Sequence, residues 1–142
     1  MSTEENKAVV RRVTEEGWNQ GNTALFDEFI AADFIGHFPG SPFHGLEGYK
    51  QFYADIHSTF PDVHYTIEDE IAEGDMVVSH LTSTGTHQGE LRGIPPSDKR
   101  VTTTGMVIFR FASGKVAEAW YEYDSLGMLE QIGAIPTLGQ AS

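Results

Sequence analysis

The spacing of apolar residues changes at Pro61, and that change decides the class of fold. Before it, apolar side chains recur at helical intervals. Val9, Val10, Val13, Gly17 and Trp18 share one face, as do Leu25, Phe26, Phe29 and Ile30, and then Tyr49, Phe52, Tyr53, Ile56 and Phe60. After it, alternation at a spacing of two runs through about 63–73, 76–89, 100–111 and 115–124. Pro61 bars continuation of the third helix, because proline lacks a donor and its ring clashes with the preceding turn. Helices first and strands second indicate an α+β domain rather than a doubly wound sheet.

The punctuation agrees. Ser2 and Glu5 form a capping box for a helix from about Thr3 to Gln20, which Asn19-Gln20-Gly21-Asn22 stops. Thr23 opens a shorter helix ending near Ala32, and Asp33 to Pro42 reads as a short strand running into a loop, with His37 where strand becomes loop. Gly74-Asp75, Gly93 to Asp98 and Ala112 to Lys115 are breaks short enough to join antiparallel neighbours, so the four β runs form a meander. Ser125 is placed to cap a final helix carrying Leu126, Met128, Leu129 and Ile132, with Gly133 after it. Residues 1–135 are expected to form one domain and 136–142 a tail. The twisted sheet closes on one side against the helices and leaves an aromatic-lined cavity between the layers.

Composition narrows the function. Nine basic residues against 21 acidic give a formal charge of −12 without any basic run, which disfavours nucleic acid and anionic membranes as partners. The absence of cysteine excludes disulfides, thiolate metal sites and a cysteine nucleophile. The N-terminus lacks the basic and apolar regions of a signal peptide and no apolar run spans a membrane, so a cytoplasmic protein is expected. Phosphate-cradling glycine loops, H-E-x-x-H, EF-hand loops and the G-x-S-x-G elbow are all missing, and the six histidines have no tight metal spacing, so no metal is assigned.

Strand parity selects candidates. Trp120 and Asp124 point the same way, with Tyr121 and Tyr123 opposite. Val78, His80, Thr82 and Thr84 share a face, as do Met106, Ile108 and Arg110. Each row mixes apolar walls with a few polar groups, the character of a small-molecule site. A carboxyl in a dry, aromatic-walled cavity has its charged form disfavoured, which suits proton transfer and singles out Asp124. The other reading of Asp124 is a helix cap beside Ser125. Arg110 pairs with Asp124 or Glu122, or is simply solvated. Trp18, Tyr53, Phe60 and Trp120 are core residues that also serve as pocket wall.

The segments Gly85-Thr86-His87-Gln88-Gly89-Glu90-Leu91-Arg92-Gly93-Ile94-Pro95-Pro96, Phe109-Arg110-Phe111 and Glu118-x-Trp120-x-x-x-Asp124-x-Leu126-Gly127-Met128-Leu129-x-Gln131-Ile132-Gly133 resemble the SnoaL-like polyketide cyclases, or ester cyclases. Trp18-Asn19-x-Gly21-Asn22 and Asp33-x-x-x-His37-x-Pro39-Gly40 fit the same pattern, so the resemblance covers nearly the whole chain. It implies the cone-shaped α+β barrel of the nuclear transport factor two-like superfamily, a curved antiparallel sheet on three helices. It also implies intramolecular aldol closure of a polyketide ester without metal or organic cofactor, and a homodimer packed through the sheet. Asp124 matches the family's acid/base aspartate, and Arg110 and His37 match positions that orient substrate. Trp18, Tyr53, Phe60, His80, Met106, Ile108 and Trp120 are the expected substrate contacts. Two rivals remain on the same scaffold: a carrier of a small apolar ligand, and a dehydratase or epoxide hydrolase using an Asp–His pair. An outer sheet face bearing Tyr121, Tyr123, Val107, Phe109 and Phe111 is the expected dimer surface.

Overall fold

The structure, a computed structural model, describes residues 2–136. The expected tail lies, apart from Pro136, outside the described residues. Ser2 caps α1 (Thr3–Arg12) through the full capping box with Glu5. The helix does not continue regularly to Gln20. Val13–Trp18 form a wider π turn closed by Asn19 N–H donating to the Thr14 carbonyl at 3.1 Å. Such turns rotate the side chains that follow them, and here Trp18 is seated in the core, where its indole donates to the Tyr49 hydroxyl at 2.8 Å.

The second helix is shorter than its apolar spacing suggested. α2 (Ala24–Phe29) ends where Ile30 turns extended, and β1 (Ile30–His37) begins there rather than at Asp33. The alternation Ile30, Phe34, Gly36 faces inward and overrides the helical propensity of the intervening alanines. A two-residue β2 (Phe43–His44) leads into α3 (Gly45–Thr59), which stops before Pro61. The meander follows as β3 (His64–Glu73), β4 (Met76–Thr86), β5 (Arg100–Ala112) and β6 (Lys115–Tyr123), and then α4 (Ser125–Gln131). The helix cap is Asp124, not Ser125: its carboxylate accepts the Gly127 N–H at 2.9 Å.

The sheet has the order β2-β1-β6-β5-β4-β3. The four meander strands are antiparallel, and β1 joins β6 in parallel, so the sheet is mixed at that side. Its inner face supplies Val77, Leu81, Val107, Phe109, Phe111, Val116, Ala119 and Tyr121, all buried. Against them lie Val9, Val10 and Val13 from the first helix and the cluster of Phe26, Phe34, Trp18 and Tyr49. Phe26 lies 5.0 Å from Tyr49 and 5.3 Å from Tyr53, centroid to centroid, with edges toward faces, the arrangement favoured by ring quadrupoles. No described helix is long and apolar enough to cross a membrane.

Parity corrects the expected dimer surface. Tyr121, Val107, Phe109 and Phe111 are buried under the helices, and Tyr123 packs against the same core. The outward row instead carries Trp120, Ile108 and Met106, with Ile71 67% and Met106 53% exposed.

Candidate active site

A cavity of about 360 Å³ opens between α3 and the inner face of the meander, a size suited to a small organic molecule. Its aromatic wall is Phe38, Phe43, Phe52 and Phe60, with Phe43 stacked on Phe52 at 4.6 Å and Phe38 set 5.6 Å from Phe52. Tyr65 of β3 and Tyr123 of β6 contribute phenols, and Ser83, Thr103, Gln51, Asp55 and Arg92 are among its other polar groups. A second void of about 30 Å³, room for roughly one water, lies beyond Tyr65 and Tyr123 against Trp18 and Tyr49.

The phenols are set by backbone. Asn19, delivered by the π turn, acts as a stand-in strand residue: its Nδ2 donates to the Tyr65 carbonyl and its Oδ1 accepts the Tyr65 N–H, both at 2.8 Å. Tyr123 is held by the β5–β6 ladder opposite Gly105, where a Cβ would run into its ring. Neither hydroxyl has a hydrogen-bond partner among the described residues. A phenol is protonated at neutral pH, and burial, with a smaller push from neighbouring tyrosines, raises both Tyr65 and Tyr123 further from it.

The mouth is shaped by the loop between β4 and β5. Gln88 and Gly89 N–H both donate to the Thr59 carbonyl at 3.0 Å. Gly89 is required there, because a Cβ would fall on the Ser58 carbonyl oxygen. Fully buried His87 ties the far side: its Nδ1 accepts the Ser97 N–H at 3.1 Å, while its Nε2 is buried without a partner. Asp62 accepts the Thr86 N–H and hydroxyl at 2.6 and 2.7 Å, and these bonds hold its carboxyl below the usual range.

Of the residues expected at the site, Phe60 lines the cavity, and Trp18 lines the small void behind it. Tyr53 packs on Trp18 at 5.0 Å as core. Asp124 is exposed and does not line the cavity, although its chain neighbours Tyr123 and Ser125 do. The other six do not meet there. His80, Met106, Ile108, Arg110, Trp120 and His37 occupy the face turned away from the helices, because parity assigned them to one row and the opposite row is the buried one.

They form a different constellation. Glu118 takes His37 Nε2 at 2.6 Å and Arg110 Nε at 3.0 Å, while the His37 ring stacks on Trp120 at 5.2 Å. The bond from His37, aided by Arg110, holds the Glu118 carboxyl below its ordinary value. His80 meets Asp69 at 3.1 Å, an open surface pair. Acid–histidine pairs therefore exist, but outside the cavity. Among the described residues no group of three or more His, Asp or Glu side chains converges as a metal site.

Sequence reasoning passed over Tyr65, Tyr123, Phe52, Asp55 and Arg92. A signal for the buried face was present: the row Val101, Thr103, Gly105, Val107, Phe109, Phe111 carries no charge, whereas its alternate begins with Arg100 and ends with Arg110.

Residues 8–132 match the family described as SnoaL-like polyketide cyclase. The chain belongs to that family. It is 30% identical over 121 residues to the nogalonic acid methyl ester cyclase of Streptomyces nogalater, covering 82% of this chain and 89% of the relative. The fold of a Jannaschia sp. CCS1 protein assigned as a SnoaL-like polyketide cyclase superposes with a TM-score of 0.87 at 30% identity, over 94% of this chain and 95% of that one. AclR of Streptomyces galilaeus, assigned as a hydroxylase, superposes at 0.85 with 25% identity, over 98% and 87%. The α+β fold and a cyclase-type function are thus supported for this SnoaL-like chain.

Proposed function

We propose that the protein is a cofactor-free polyketide ester cyclase that closes a ring by intramolecular aldol condensation inside the cavity. The observation that carries this reading is the aromatic-walled cavity into which two protonated phenols, Tyr65 and Tyr123, project without protein partners. A base removes a proton from the carbon between two electron-withdrawing groups, the enolate carbon attacks a ketone of the same molecule, and the resulting alkoxide takes a proton back. The net change is an isomerisation. The phenols donate to the oxygen on which charge develops, where a dry pocket strengthens each hydrogen bond. Asp124, which follows the lining residue Tyr123 in the chain, is the proposed acid/base.

The test is incubation with nogalonic acid methyl ester, the compound named for the Streptomyces relative, followed by liquid chromatography and mass spectrometry. A new species of unchanged mass is expected. Ester that binds but stays unconverted after long incubation would favour a carrier of apolar ligands instead.

A homodimer belongs to the same proposal, through the outer sheet face rather than the buried tyrosine row. That face leaves Ile35, Ile71 and Met106 exposed beside the Glu118 cluster. Exposed apolar area of this kind marks contact surfaces. Sedimentation velocity at micromolar concentration is expected to give twice the 15.7 kDa chain mass. A single-chain mass would remove the proposal.

A further inference from the structure

The small void behind the cavity is bounded by hydroxyl-bearing residues. Tyr49 of α3, Tyr121 of β6 and Thr14 of the π turn line it, and Tyr65 and Tyr123, which line the cavity as well, separate the two spaces. Tyr121 and Thr14 are buried, and neither hydroxyl has a hydrogen-bond partner among the described residues. Burial first, and then the phenols of Tyr49, Tyr123 and Tyr65, push Tyr121 well above its ordinary value, so the four phenol oxygens lie within electrostatic reach of one another.

The one hydrogen bond made within this group has a fixed direction. An indole N–H only donates, so the Tyr49 oxygen accepts from Trp18 at 2.8 Å and the Tyr49 proton must point elsewhere. No described residue takes it. A ring of hydroxyls around a space of about 30 Å³ therefore needs an occupant that accepts and donates at once. An apolar occupant would leave each of these hydroxyls desolvated and unpaired.

We infer that one water is bound in this void, and that Tyr49 and Tyr121 act through it as positioning residues for the two cavity phenols. The water accepts the Tyr49 and Tyr121 protons and donates its own two to the oxygens of Tyr65 and Tyr123, a full complement of partners for a buried water. With their oxygens engaged from behind, Tyr65 and Tyr123 turn their protons into the cavity, toward a substrate carbonyl. Each bond in the sequence that starts at Trp18 polarises the next, which makes the two phenols stronger donors. The inference rests on the reading of the cavity as the substrate site, and adds that the donors are aimed from the core.

Two measurements on the full chain test it. A crystal structure of the wild type is expected to show one ordered water within hydrogen-bond distance of the Tyr49 and Tyr121 hydroxyls, and a void without it would overturn the inference. The second measurement titrates 9-fluorenone, a ketone that cannot enolise, and fluorene, the hydrocarbon of the same shape. Tyr49→Phe and Tyr121→Phe keep the rings and remove only hydroxyls that do not line the cavity. Each is expected to lower the ratio of ketone to hydrocarbon affinity by about threefold, through weaker donation by Tyr65 and Tyr123, with fluorene binding unchanged. An unchanged ratio in both variants, or equal weakening of both probes, would overturn the positioning role and leave the cavity reading intact. Failure of both probes to bind the wild type would overturn the cavity reading, and the positioning role with it.

Discussion

Phe26→Ala is expected to destabilise the fold by about 3–5 kcal/mol, close to the whole stability of a marginal domain. Phe26 is fully buried and sits at the meeting point of Trp18, Tyr49 and Tyr53, so its ring cannot be replaced by inward movement of one neighbour. It also presses on Gly17 in the π turn, where a Cβ would approach its ring to 2.8 Å. Removing the ring therefore empties a cavity and frees the turn that delivers Trp18 and Asn19. Because Asn19 fixes Tyr65, the loss should propagate to the site: substrate affinity falls along with the melting temperature, by about 10–20 °C in the latter. Urea denaturation measures the first quantity directly. A loss under about 1.5 kcal/mol would mean that the helical layer collapses onto the space, and would contradict the packing described for it.

Much of this architecture is legible in the sequence because each local signal has a single physical meaning. Pro61 cannot lie within the third helix, the capping box cannot lie far from a helix start, and the strand breaks fall at Gly74, Gly114 and their neighbours, both of positive φ. Legibility fails where one pattern fits two structures. Val13 to Trp18 carries the same apolar spacing whether the turn is α or π, so that spacing does not select the wider turn, in which Gly17 packs under the Phe26 ring. Ile30-Ala31-Ala32 suits a helix end or a strand start, and pairing of Ile30 with Val116 settles it as strand.

The site shows the same limit more sharply. A spacing of two sorts β5 and β6 into two rows, but not which row is dry. Trp120 and Ile108 make the outer row look like a pocket wall, although Glu118, Arg110 and Glu122 travel with them. Arg110 and Glu118 then satisfy each other on the surface. The uncharged alternate row, ending at Tyr121 and Tyr123, is the one the helices cover. Asp124 is singled out because it shares the face of Trp120, which is the outer row, and its other reading as a helix cap is legible too.

Asp124→Asn is expected to lower the rate of ring closure by about 10²–10⁴, the usual contribution of a positioned acid/base, while changing stability little. The substitution separates two duties of one side chain. As the cap of α4, Asp124 needs only an oxygen for the Gly127 N–H, and asparagine serves as well as aspartate at such a position. As acid/base it must exchange a proton, which an amide does not do. Gly127 makes the arrangement possible, since a Cβ there would collide with the Asp124 carboxylate. The cap fixes that carboxylate one residue beyond Tyr123, so donor and base come from the same strand end, whereas Asp55, a lining residue on α3, is held by the Gln51 amide at 2.8 Å. Comparing steady-state rates of Asp124→Asn and Asp55→Asn decides between them. An unchanged rate in the first with a large loss in the second would move the proton chemistry to Asp55 and leave Asp124 a cap.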